Sequence, residues 1–175
     1  MLQTVVVKFG GSVLENDKSI NQVASLIKET TGRGLGVVVV VSAMKGVTDQ
    51  IMALSKRDNP EIEPHLLDEL LSSGERTSAR LVAAALASFG LQSVVVDPDT
   101  PYWPVITDER HLDANPLVEE SREKTQQLIL PLLEAGKVPV VCLGNDGRIR
   151  PTGTCSGSHA AKRGWLLDTY CGAHY

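Results

Sequence analysis

The chain has 175 residues, 42% of them hydrophobic, enough to bury the core of one globular domain without a disulfide or metal staple. Its formal net charge is -4, and the basic residues are scattered along it. That leaves no electrostatic footprint for nucleic acid or an anionic membrane, and favours a small-molecule partner. Cys142, Cys155 and Cys171 are odd in number and lack the close pairs of a zinc site, which points to a reducing, cytoplasmic setting. Met1 to Thr4 carries no basic region, and no apolar run approaches the length needed to span a bilayer.

Val5 to Phe9 is a β-branched run followed by glycines, the pattern of a strand covered on both faces in a parallel sheet. Asn16 to Glu29 is predicted to be a helix, with Ile20, Val23, Ala24 and Ile27 on one face and Gly32-Arg33-Gly34 closing it. Val37 to Val41 is a second buried strand, so the first three elements form a βαβ unit. A short helix is expected over Asp49 to Ser55, then a charged, proline-bearing linker from Lys56 to Pro64. Gly74 to Phe89 reads as a helix with Leu81, Val82, Ala85, Leu86 and Phe89 on one face and Gly90 as its cap. Strand Val94 to Val96, loop Pro98 to Pro104, helix Pro116 to Glu134 interrupted by Pro131, and strand Val138 to Val141 follow. The pattern changes after that: Asn145 to His159 is rich in Gly, Ser and Thr, Ala160 to Leu167 fits a short helix, and Asp168 to Tyr175 has no pattern. Strands alternating with helices predict an α/β sandwich with a mainly parallel sheet.

Ligands in such sheets collect beyond the carboxyl ends of the strands, so the turns after Phe9, Val41 and Val141 are expected to converge. Gly10-Gly11-Ser12 allows close backbone approach, and its consecutive amides make an anion cradle beside the charge of Lys8; alone, it is equally a tight turn next to a strand-edge lysine. The GxxxxGK[ST] spacing of a Walker loop is absent. Ser42 and Thr48 offer two hydroxyls after the second strand, although Thr48 also suits a helix N-cap. Glu75, placed by this reading at the start of a helix, either complements the helix dipole or binds the ammonium group of an amino acid.

Taken together, VVVKFGGSVL, VVVVSAMKGVTD and LLSSGERTSARLVAAAL, with Val105-Ile106-Thr107-Asp108, His111 and Ala114-Asn115 after them, resemble the aspartokinases of the amino acid kinase superfamily. The resemblance runs from Val5 to Val141. It implies a three-layer αβα sandwich of the carbamate kinase-like type and a single, incomplete amino acid kinase domain, well matched over 1–144, divergent over 145–175 and without an ACT regulatory domain. By the same resemblance Lys8 is catalytic and binds nucleotide with Gly10, Gly11 and Ser12, while Ser42, Thr48 and Glu75 hold L-aspartate. The reaction implied is transfer of the γ-phosphoryl group of ATP, as its Mg2+ complex, to the side-chain carboxylate of aspartate, the entry to lysine, threonine and methionine biosynthesis. A homo-oligomer is implied as well, with no protein-held metal.

The tail departs from the family. Where an aspartokinase carries an LGRGGSD loop, alignment on Ser156-Gly157-Ser158 puts Cys155 at the arginine and His159 at the aspartate. A truncated paralogue, a late frameshift and a fragment all fit, with the unpatterned residues after Arg150 favouring the frameshift. Two further readings stand beside aspartate kinase: a non-catalytic binding or dimerisation module, and another amino acid kinase acting on acetylglutamate, glutamate or isopentenyl phosphate. SAMKGVTD and SSGERTSA argue against the last.

Overall fold

The computed structural model describes residues 2–107 and 116–142. Among the described residues nine elements follow one another: β1 (Thr4–Phe9), α1 (Asp17–Gly32), β2 (Gly36–Val41), α2 (Val47–Asp58), α3 (Pro64–Ser88), β3 (Ser93–Val96), α4 (Val118–Leu128), α5 (Leu130–Glu134) and β4 (Val138–Cys142). The strands form one sheet in the order β1-β2-β4-β3, parallel throughout. Register pairs Phe9 with Val41, Val41 with Cys142 and Val96 with Val141, so the four carboxyl ends share one edge.

β2 and β4 are buried along their whole length, which only side chains packed on both faces of the sheet can achieve. α1 and α3 pack on one another and both touch β2; α5 lies against β2 and β4 and supplies the opposite layer. The core joins Ile20, Val23, Ala24 and Ile27 of α1 to Val82 and Leu86 of α3 across the valines of the sheet. α1 starts where its sequence allows: the Asn16 side chain accepts from the Ser19 amide at 3.1 Å, and Ser19 Oγ accepts from the Asn16 amide at 3.1 Å, a reciprocal capping box.

Several boundaries differ from the sequence reading. α3 begins at Pro64 rather than Gly74, and α2 runs on to Asp58, so the linker shrinks to 59–63. The inward positions of early α3 are Asp68, Ser72 and Gly74, polar or small, and an apolar periodicity cannot reveal a face built of them. Leu81 is exposed, and Ala79 takes the inward position beside Val82. The helix expected over Pro116 to Glu134 is two helices: Pro131 has no amide to donate, stands in the first turn of α5, and the break falls at the buried Ile129. The readings that fall on 108–115 and 143–175 lie outside the described residues.

Candidate functional site

β1 delivers the chain to its first turn at Phe9. The amides of Val13 and Leu14 both donate to the Gly10 carbonyl, at 2.9 and 3.1 Å, which folds 10–14 back on itself. Among the described residues the Gly11 and Ser12 amides donate to no carbonyl, as an anion cradle requires. Lys8 is exposed one residue before the strand ends, in register with Val40. An open groove of ≈ 390 Å³ flanks the turn on its α1 side, bounded by Phe9, Ser12, Ser19 and Val23; Lys8, Ser42, Thr48 and Glu75 do not line it.

The second turn packs directly on the first. The Ser42 amide donates to the Phe9 carbonyl at 3.2 Å, and the Lys45 amide to the Leu14 carbonyl at 3.3 Å. A Cβ on Gly11 would stand 2.8 Å from the Ala43 carbonyl oxygen and 3.4 Å from the Lys45 amide nitrogen, so only glycine fits there. Gly10 differs: a Cβ there would meet nothing within 4 Å. Outside the turn, Lys45 is ion-paired with Glu15, which ties the two loops together at their rim.

α3 closes on the other side of the second turn. A Cβ on Gly74 would meet Val47 Cγ1 at 3.0 Å and the Ala43 Cβ at 3.3 Å, so the missing side chain lets α3 approach. Ala43 therefore has Gly11 on one flank and Gly74 on the other, so the backbone segments that carry Ser12, Ser42 and Glu75 meet at it. Glu75 stands in the middle of α3, not at its start, so the dipole reading of its carboxylate falls away. Thr48 is not a cap either. α2 begins at Val47 behind Gly46, whose φ of 77 no side chain favours, and no side-chain hydrogen bond caps it. Thr48 sits exposed in the first turn of α2.

The hydroxyls here behave unlike those along the helices. Thr77 and Ser78 donate to the carbonyls of Ser73 and Gly74 at 2.8 and 3.1 Å, and Ser55 to that of Ile51 at 2.8 Å. No such bond engages the hydroxyls of Ser12, Ser42 or Thr48, or the Lys8 ammonium, among the described residues. Among those residues there is also no group of three His, Cys, Asp or Glu that could hold a metal ion, and no helix long and apolar enough to cross a membrane.

Two features escaped the sequence reading. Ala43 is one. The other is Asp97, fully buried where β3 ends, whose Oδ2 accepts from Arg80 Nη2 at 2.7 Å while Arg76 pairs with Asp99. A carboxylate directly after a valine run, at the edge where ligands collect, was the available signal. Of the segment from Val105 to Asn115 that completes the resemblance, Thr107 is buried and bridges to Pro116, and the Leu117 amide donates to the Ile106 carbonyl at 2.8 Å. Asp108, His111, Ala114 and Asn115 lie outside the described residues, as do Cys155 and His159.

Residues 3–159 match the family model described as Amino acid kinase family. An aspartokinase of Mycolicibacterium smegmatis is 45% identical over 89 residues, which are 51% of this chain and 21% of that protein. An aspartokinase of Corynebacterium glutamicum is 36% identical over 137 residues, 78% of this chain and 31% of that protein. The chain thus spans about a fifth to a third of the length of these relatives. Among solved structures, E. coli aspartokinase III in complex with aspartate and ADP superposes with a TM-score of 0.73 at 21% identity, over 95% of this chain and 46% of that one, a likeness of fold.

Proposed function

This chain belongs to the amino acid kinase family, and from that premise we propose that it is an aspartate kinase-like phosphotransferase acting on L-aspartate and ATP. The observation that carries the reading is the packing of Ala43 between Gly11 and Gly74, which gathers an amide turn, two uncommitted hydroxyls and a carboxylate at one sheet edge. The relatives' identity as aspartokinases and the aspartate and ADP of the E. coli complex support the choice of substrates.

In this reading the amides of Gly11 and Ser12 hold phosphate oxygens, and Lys8 supplies the cation beside them. Ser42 and Thr48 donate to the aspartate carboxylates, and Glu75 binds the ammonium group. A side-chain carboxylate oxygen of aspartate attacks the γ-phosphorus, a new P–O bond forms, and the bond to the bridging β,γ-oxygen breaks with its electrons leaving on ADP. No proton moves, because the carboxylate is already ionised at neutral pH. Catalysis then rests on alignment and on cations and amides around the transferred group. Bound with the nucleotide, Mg2+ would screen the charge of the phosphates.

The test is to incubate the chain with MgATP, aspartate and hydroxylamine and measure aspartyl hydroxamate against a Lys8→Ala control. Hydroxamate above the control supports phosphoryl transfer. Its absence with nucleotide and aspartate binding intact supports the second reading, a non-catalytic binding or dimerisation module, which Cys155 and His159 favour by standing in place of a family arginine and aspartate. Hydroxamates from glutamate or acetylglutamate instead would move the chain to another branch of the family. The cytoplasm and a homo-oligomeric state complete the proposal.

A further inference from the structure

Glu75 lies between two pinned neighbours. On one side Gly74 is packed on Ala43 and Val47, the turn after β2. On the other, Arg76 pairs with Asp99, and one helical turn further on Arg80 reaches Asp97, both in the turn after β3. α3 is thus clamped across the stretch that carries Glu75, at the edge where both turns emerge. Asp97 is the fixed point of the second clamp. Its side chain is fully buried, its Oδ1 accepts from the Asp99 amide at 2.9 Å, and its Oδ2 accepts from Arg80 Nη2 at 2.7 Å. Thr100 Oγ1 closes the same turn, accepting from the Asp97 amide at 3.2 Å and donating to the Asp97 carbonyl at 2.8 Å.

A carboxylate this deeply buried is costly unless paired and hydrogen-bonded, and replacing a buried ion pair by well-packed hydrophobic side chains is often neutral or stabilising. What an apolar contact cannot do is fix the axial position and rotation of a helix by directional, charge-assisted bonds. We propose that Asp97, acting through Arg80, is a positioning residue for Glu75: it sets the rotation of α3 so that the Glu75 carboxylate meets the ammonium group of the amino acid substrate. This rests on the reading of Glu75 given above. Asp97 touches no substrate itself.

Succinate has the two carboxylates of aspartate and lacks the ammonium group, so the ratio of the two affinities reports on the ammonium contact alone. Calorimetric titration of the full chain with L-aspartate and with succinate, in the presence of MgADP, is to be compared across the unmodified protein, Glu75→Gln, Asp97→Asn, Arg80→Ala and Arg80→Lys, with thermal melts of each. The unmodified chain is expected to prefer aspartate and Glu75→Gln to lose that preference. Asp97→Asn and Arg80→Ala should each reduce the preference by about tenfold, the scale of one charge-assisted contact, while leaving succinate affinity in place. Arg80→Lys should restore part of it. Arg80 is 55% exposed, so Arg80→Ala carries the test if Asp97→Asn fails to fold. Equal loss of both ligands, or an unchanged ratio, in a folded Arg80→Ala overturns the positioning role alone. No aspartate preference in the unmodified chain, or none lost in Glu75→Gln, overturns the reading of Glu75 and the positioning role with it.

Discussion

The carbonyl oxygen of Ala43 faces Gly11 so closely that a Cβ on Gly11 would stand 2.8 Å from it. The atom in the way is backbone, part of a turn held by Ser42 and Lys45 amide bonds, and cannot swing aside. Gly11→Ala is therefore expected to cost about 1–3 kcal/mol, the range for overpacking a close contact. Gly10→Ala, with open space at its Cβ, should stay within about 0.5 kcal/mol. Urea denaturation of the two variants checks the contrast.

Gly74→Ala sets two effects against each other. Alanine favours a helix interior by about 1 kcal/mol over glycine. The new methyl meets Val47 Cγ1 at 3.0 Å and the Ala43 Cβ at 3.3 Å, and neither is the end of a flexible side chain. The strain is expected to cancel or exceed the gain, so stability changes little or falls by about 2 kcal/mol. Aspartate affinity should fall in either case, because α3 must move off the second turn. Titration calorimetry beside a thermal melt separates the two.

Lys8 is exposed, and no hydrogen bond or ion pair holds its ammonium among the described residues. Lys8→Ala should leave the melting temperature near that of the unmodified chain while lowering hydroxamate formation roughly 100-fold, the scale of removing one group that stabilises transition-state charge. A drop in stability with unchanged turnover would place Lys8 in the scaffold instead.

Leu86 is fully buried between α3 and the sheet, and Leu81, five residues earlier and so on another face of the same helix, is 41% exposed. Leu86→Ala is expected to cost about 2–5 kcal/mol, and Leu81→Ala about 0.5 kcal/mol or less. Chemical denaturation of both tests which face of α3 looks inward.

The strands were legible in the sequence because β2 and β4 are buried on both faces, and only unbroken apolar runs such as Val37 to Val41 satisfy that. α1 was legible for the same reason read at helical spacing, with its four inward residues apolar and Asn16 marking its start. Early α3 was not: its buried face is Asp68, Ser72 and Gly74, so Glu75 was expected at a helix start and lies in a helix interior. Gly11 and Ser42 could be picked out as a glycine turn and a hydroxyl after a buried strand. The reason Gly11 must be glycine could not, because the atom it approaches belongs to Ala43, on a segment remote in the chain. Asp97 was passed over because its local signal, a carboxylate directly after a valine run, does not show its partner, and Arg80 lies 17 residues earlier on another element.

The proposed assembly of two ligand sites around Ala43 is tested most directly by amide chemical-shift mapping of the isotope-labelled chain, with MgADP and L-aspartate added separately and together. MgADP is expected to shift the amides of Gly10, Gly11 and Ser12, and aspartate those of Ser42, Thr48 and Glu75, with Ala43 responding to both. Shifts confined to residues away from the carboxyl edge of the sheet, or none with either ligand at millimolar concentration, would contradict it.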